Sequence, residues 1–374
     1  MEPGFSPGRK AAVTEAASEV SSRTDPGVPR GLETEERRLP SGVADAGPGT
    51  REVVAGHQNA MIVVSVICPT YNHEAFIGKA LEGFLRQETT FPIEIIVHDD
   101  ASTDGTADII RSYESRFPGR LRCVYQVENQ HRRMGVSLFH DLLIPMASGE
   151  FIAVCEGDDY WTDPTKLERQ VAFMRRWPDL AMSFHAARVE YVGRRRPSRL
   201  HRFRGGTFVK PETVVFRGGG LYPTCSALFR RSVFADYPRF FLAAPVADSM
   251  WALNAITKGR VGYLDEVMAV YNSRVPGSWS DKARRRSLAE ILQYYSELEA
   301  VRAEFDQLTG YRYSKWIKRR LSRNRAQALV DRAEDPGRGM RYDDLKGEML
   351  LQDRLLYVVG IACAKLGLTR NRRS

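Results

Sequence analysis

The chain has 374 residues, 43% of them hydrophobic, with a formal charge of +9, which fits one large or two ordinary domains with a sizeable core. Its five cysteines (Cys68, Cys123, Cys155, Cys225, Cys363) are odd in number, widely spaced and without a CxxC pair, so the reading is a reducing compartment with neither a disulfide framework nor a thiolate zinc site. No run reaches the roughly 18 apolar residues of a membrane-spanning helix and the N-terminus lacks a signal-peptide core, so a cytoplasmic protein is expected.

Residues 1–60 are rich in Gly, Pro, Ser, Glu and Arg, with Phe5 as the only aromatic. Such a segment buries too little surface to offset its ordering entropy and is expected to be a disordered tail. At Met61 the pattern changes. IVVSVIC (62–68) reads as a strand, and EAFIGKALEGFLRQ (74–87) sets Phe76, Ile77, Ala80, Leu81, Phe84 and Leu85 on one helical face. Strand IEIIVH (93–98), helix DGTADIIRSYESRF (104–117), strand LRCVYQV (121–127), helix GVSLFHDLLIPMA (135–147) and strand FIAVC (151–155) continue the alternation. This order predicts an α/β fold with a mostly parallel sheet and helices on both faces.

A helix over 166–177 and a strand over 181–191 follow, then a loop-rich, basic region at 192–222 that includes RGGGLYPT (217–224). Strand 226–230, helix 246–257 and strand 266–272 complete one expected catalytic domain, 61–280. From 281 to 374 the pattern is helical, with segments at 287–305, near 313–332 and at about 341–367. Positive charge gathers in 193–204, 315–325 and 369–374. It reads as an arginine-rich surface or as a meeting place for anionic lipid or acidic glycan; no nucleic-acid recognition module is evident.

In open sheets of this kind ligands bind beyond the carboxyl ends of the strands, and three strand ends carry polar residues. The first, CPTYNHE (68–74), offers Pro69 and Tyr71, with Asn72 expected to cap the next helix. The second, HDDASTDGT (98–106), offers Asp99 and Asp100 beyond a cap expected at Ser102 or Thr103. A carboxylate there can accept from a pyrimidine N–H or from ribose hydroxyls. The third, CEGDDYWTDP (155–164), clusters Glu156, Asp158 and Asp159 in a turn, an arrangement that needs a cation to offset its repulsion and suits a hard divalent ion bridging phosphates. No GxxxxGK[ST] string or HExxH spacing is present.

In order and spacing, VSVICPTYNHEAFIGKALEGFLRQ, IEIIVHDDASTDGT and GEFIAVCEGDDYWTDP resemble the nucleotide-sugar half of an inverting family 2 glycosyltransferase with the GT-A fold; the likeness runs from about Val64 to Ser280. It implies a Rossmann-like sheet flanked by helices, here with a helical C-terminal extension. It also implies transfer of a sugar from a nucleotide-diphosphate donor, a UDP-sugar first, to a glycan or lipid-linked acceptor hydroxyl in surface polysaccharide synthesis, with Mg2+ or Mn2+. By position, Pro69 and Tyr71 would border the nucleobase, Asp100 would bind the base and Asp99 the ribose, and Arg133 would reach the pyrophosphate. Asp158 and Asp159 would hold the metal diphosphate, and Asp248, in APVADSMWALNAITKG (244–259), would be the catalytic base or else a helix cap. Two departures stand out: Glu156 occupies a position where many relatives have Asp, and YNSRVPGSWS (271–280) has Arg274 and no His.

A non-catalytic nucleotide- or glycan-binding protein and a sugar nucleotidyltransferase are the competing readings. The retained acids argue against the first and the absence of glycine from CPTYNHE against the second. The stretch 351–374, apolar with a basic end, is expected either to lie on the inner face of the membrane or to pack on the domain.

Overall fold

The computed structural model describes residues 61–193 and 197–333. The expected tail at 1–60, the helix at about 341–367 and the membrane-facing stretch 351–374 lie outside the described residues. In chain order the elements are β1 (Val64–Thr70), α1 (Ile77–Leu85), β2 (Ile93–Asp99), α2 (Thr106–Arg116), β3 (Arg122–Tyr125), α3 (Gln130–Met134), α4 (Ile144–Met146), β4 (Phe151–Val154), β5 (Tyr160–Trp161) and α5 (Lys166–Arg176). There follow β6 (Leu180–Tyr191), β7 (Arg199–His201), β8 (Phe208–Val209), α6 (Pro211–Arg217), β9 (Leu228–Arg230), α7 (Asp248–Lys258), β10 (Arg260–Ser273), α8 (Trp279–Arg285), α9 (Leu288–Leu308) and α10 (Ser314–Ala333).

One sheet runs β3-β2-β1-β4-β9-β6-β10-β5. The β3-β2-β1-β4 half is parallel throughout, whereas β9 joins β4 and β6 antiparallel, and β5 and β8 pair antiparallel with β10. The unbroken apolar runs have a simple cause: both faces of these strands are covered. Val64, Val66 and Cys68 of β1 enter the core on one side with Ile95, Val97, Phe151 and Ala153. Ile67, Ile96, Ile152 and Val154 enter the core on the other.

The region expected to be loop-rich, 192–222, contains β7, β8, α6 and a 3-10 turn at Gly218–Gly220. Pro211 opens α6 at its first turn, where a missing N–H costs nothing. The expected helix 135–147 is broken instead into a π turn at Leu138–Leu143 and the short α4, which contains Pro145. Helices α9 and α10 and the turn between them contribute Leu298, Val301, Phe305, Tyr313 and Ile317 to the core that also holds Phe241 and Trp251. Among the described residues no helix is long and apolar enough to cross a membrane.

Candidate active site

The three polar strand ends lie side by side. β1 pairs with β2 so that Thr70 faces Asp99, and the ladder runs on past the strands: Asp100 N donates to Thr70 O (2.9 Å) and Gly157 N to Pro69 O (3.0 Å). Asn72 adopts a left-handed backbone with φ 56°. Its side chain does not cap α1; Asn72 Oδ1 accepts from Thr103 N (2.8 Å) and Asn72 N donates to Ser102 Oγ (2.9 Å). Neither Ser102 nor Thr103 caps α2: its N-cap is Gly105, and the Asp104 side chain just before it accepts from Thr106 N through Oδ1 (3.0 Å). These bonds lace the first two strand ends into one rim, with Tyr71 half-buried on it.

Asp99 and Asp100 are both buried, and their surroundings differ. Asp100 accepts from the two leading N–H groups of α3, Gln130 N to Oδ1 (2.6 Å) and His131 N to Oδ2 (3.0 Å), which fixes the short helix carrying the exposed Arg133. Asp99 Oδ2 takes only a long bond from Ser102 N (3.4 Å), and its Oδ1 is buried without a partner. A buried carboxylate oxygen lacking a donor is costly. Asp99 therefore has hydrogen-bonding capacity that Asp100 lacks.

The acid turn is built by close approach. A Cβ on Gly157 would overlap Thr70 Oγ1 and Cβ, so only glycine lets the turn sit on β1. Asp159, 1% exposed, lies beneath it, with Oδ1 accepting from Asn272 N (2.7 Å), while Asn272 Nδ2 donates to Asp158 O (2.6 Å). The aromatic pair that follows anchors the turn: Trp161 packs edge-on against Phe84 at 4.7 Å and its Nε1 donates to Cys225 O (2.9 Å). Asp158 faces the rim, its Oδ2 3.8 Å from His73 Nε2. His73 also meets Thr70 Oγ1 at 3.1 Å. The sequence reading passed over His73, although its place in CPTYNHE, at the first strand end, was a usable signal.

Burial raises all three acids, and neighbouring negative charge adds to it at Glu156 and Asp159. Glu156 is pushed up to about 8 by burial, then by the charges of Asp158 and Asp248. Burial likewise raises Asp158, offset in part by His73, and raises Asp159 well above its ordinary value, with Asp158 and Glu156 adding to it. A site with this much unfavourable negative charge fits a hard cation that brings phosphate oxygens with it. Among the described residues there is no group of three or more His, Cys, Asp or Glu side chains arranged as a complete metal cage, so such an ion would take part of its coordination from its ligand.

Asp248 begins α7, and the charge it places on Glu156 brings it to the same end of the sheet. Its Oδ1 accepts from Ser249 N (2.5 Å) and its backbone O from Tyr222 Oη (2.7 Å). Burial raises its carboxyl, with Arg320 acting in the opposite direction. The glycine-rich run packs directly against it: a Cβ on Gly219 would stand 2.7 Å from Asp248 Oδ2. Arg274, in a left-handed conformation with φ 70°, lies over the Tyr191 ring at 5.4 Å. A cavity of about 450 Å³ lies elsewhere, at the opposite end of α7, lined by residues such as Asp236, Ile256, Lys258 and Arg312. None of the three strand ends contributes to it, and the chemistry of its lining does not compete with that of the rim.

Comparison with known proteins agrees with this architecture. The crystal structure of S. aureus TarS 1-349 in complex with UDP-GlcNAc superposes with a TM-score of 0.51 over 81% of each chain, at 18% identity. The α/β fold is thus that of GT-A glycosyltransferases. A model of glycosyl transferase family 2 matches residues 65–237. An uncharacterized protein of Mycobacterium tuberculosis is 31% identical over 290 residues, 73% of this chain and 80% of its own length. The putative teichuronic acid biosynthesis glycosyltransferase TuaG of Bacillus subtilis is 37% identical over 112 residues, 30% of this chain and 42% of the relative. The chain belongs to glycosyl transferase family 2.

Proposed function

We propose that the protein is an inverting glycosyltransferase that moves a sugar from a nucleoside diphosphate donor, a UDP-sugar first, to a hydroxyl of a glycan or lipid-linked acceptor in surface polysaccharide synthesis. The observation that carries this reading is the meeting of charges at one sheet edge, where Glu156 feels both Asp158 in the acid turn and Asp248 at the start of α7. Residues 61–280 would form the catalytic domain and 281–374 a helical extension working at the inner face of the cell membrane through 351–374.

Within this reading Pro69 and Tyr71 border the nucleobase. Asp99, through its unpartnered Oδ1, accepts from the base or ribose, and Asp100 positions α3 so that Arg133 can reach the pyrophosphate. Asp158 and Asp159, with Glu156 beside them, would hold Mg2+ or Mn2+; Asp159 also fixes the turn to β10 through Oδ1, while its Oδ2 is buried without a partner. The bound ion supplies positive charge that offsets the negative charge on the diphosphate.

Asp248 accepts the proton of the acceptor hydroxyl as its oxygen attacks the anomeric carbon. A new C–O bond forms on the face opposite the leaving group, the bond from the anomeric carbon to the diphosphate oxygen breaks, and its electron pair leaves with the nucleoside diphosphate. A single displacement of this kind inverts the anomeric configuration. The test is a screen of sugar nucleotides with Mn2+ and candidate acceptors, followed by NMR of the product. An anomeric configuration opposite to that of the donor is expected; retention, or no turnover despite tight nucleotide binding, would overturn the reading.

A further inference from the structure

The C-terminal helices place buried positive charge behind the candidate base, and the mechanism above does not use it. Arg302, in the middle of α9, is 1% exposed. Its Nη1 donates to Val215 O (3.0 Å), capping the end of α6, but its Nε is buried without a partner. Arg320, on α10, also has a buried Nε without a partner. Among the described residues, no carboxylate forms an ion pair with either guanidinium. A guanidinium carries five N–H donors, so one carbonyl leaves most of Arg302 unused. A buried cation beside a second one, with no ion pair to offset either, is an unfavourable arrangement.

The pair is next to the reaction. A Cβ on Gly218 would stand 2.9 Å from Arg302 Nη2 and 4.0 Å from Arg320 Nη2, and one on the next residue, Gly219, would stand 2.7 Å from Asp248 Oδ2. Consecutive Cα atoms are about 3.8 Å apart, so two adjacent glycines bring the arginine pair and the carboxylate to the same stretch of backbone. A side chain at either glycine would press against one of these groups. Tyr294, on α9, is within reach of the charges of both Asp248 and Arg320. Burial, and then the charge of Arg320, lower Arg302 to about 9.

We propose that Arg302 and Arg320 form a subsite for an oxyanion, phosphate or carboxylate, carried by the sugar acceptor beside the hydroxyl that is to be glycosylated. The subsite deepens the glycosyl-transfer reading and rests on it: the acceptor is an anionic glycan or a phosphate-bearing lipid-linked sugar. Guanidinium forks suit both oxyanions because they pair two N–H groups with two oxygens. Arg320, partly open to solvent, is the entry; Arg302 is the floor.

The test uses the full chain and thermal denaturation with inorganic phosphate, with acetate, and with chloride at matched ionic strength, each with and without UDP plus Mn2+. Phosphate is expected to stabilise the wild type beyond chloride, and its shift should add to that of UDP, as two separate sites require. Arg320→Gln should weaken phosphate at least tenfold and leave the UDP shift intact. Arg302→Gln should do the same where it folds, and Arg320→Gln alone suffices where it does not. The acetate arm separates a carboxylate site from a phosphate site, and a shift with either oxyanion supports the subsite. No oxyanion-specific shift, or an equal shift in Arg320→Gln, would mean that the arginines only cap and pack. Loss of the phosphate shift when UDP is saturating would move them to the donor and overturn the acceptor assignment. A phosphate shift without any UDP shift would support the anion site while overturning the donor reading.

Discussion

Replacing Glu156 by Gln tests the electrostatics of the acid turn without touching its backbone. Burial and the charges of Asp158 and Asp248 raise Glu156 to about 8, whereas an unfolded glutamate titrates near about 4.3. Between those values the folded chain keeps a proton that the unfolded chain has released. Stability contributed by this group is therefore complete below the unfolded value and is lost as pH rises, by about 1.4 kcal/mol per pH unit. From pH 5 to pH 7 that amounts to a loss of about 2 to 3 kcal/mol through Glu156 alone. Asp158 and Asp159 are shifted in the same direction, so the wild-type loss is steeper than one carboxyl can give. Glu156→Gln removes its own share and relieves Asp159 of one repelling charge. Urea denaturation should show the variant more stable than wild type by about 1 kcal/mol at pH 5 and by about 3 to 4 kcal/mol at pH 7. Equal losses in the two proteins between pH 5 and pH 7 would refute the reasoning.

Three further outcomes follow from the base. Asp248→Asn should lower the transfer rate by about 10²- to 10⁴-fold, the usual worth of a general base, with UDP binding unchanged in titration calorimetry. Gly219→Ala sets a methyl group 2.7 Å from Asp248 Oδ2, so kcat should fall by about 10²-fold while the melting temperature stays close to wild type. Because burial raises Asp248, the acid limb of the rate profile should lie at higher pH than an unburied aspartate would give. Arg320 favours the ionised form, so Arg320→Gln should move the limb to higher pH in a pH–rate measurement.

The parallel half of the fold is legible in the sequence because its signals are local. Each of β1, β2 and β4 is an apolar run cut off by polar residues, and sheet order turns those three cuts into one rim. The bonds that hold the rim are not local. Asn72 reads as a helix cap, yet its partner is Thr103 on the next loop, a contact that exists only once β1 and β2 pair. Asp100 looks as open as Asp99 in the string HDD, until α3 returns to occupy both of its oxygens. Asp159 looks equivalent to Asp158, and only the antiparallel pairing of β5 with β10 turns it toward Asn272.

The second half is harder to read. β7, β8 and β9 are two or three residues long, too short for a period to show. α6 had a usable signal in Pro211 followed by an apolar turn. The run at Gly218–Gly220 reads as a flexible loop, and its reason lies in the carboxylate of Asp248, one strand and three 3-10 turns further along. Arg302 and Arg320 sit in strings that read as ordinary charged helix. The burial of Arg302 and the partial burial of Arg320 follow from packing of α9 and α10 on α6 and the Arg239–Ala243 turn, which no local pattern encodes.

The most direct measurement of the central claim is calorimetric titration of UDP and GDP into the full chain, with and without Mn2+, for wild type and Asp158→Asn. The account predicts binding of a nucleoside diphosphate that strengthens with Mn2+ in the wild type and loses that cation dependence in Asp158→Asn, with folding intact. Cation-dependent binding of equal strength in Asp158→Asn, or no nucleoside diphosphate binding by the wild type, would contradict it.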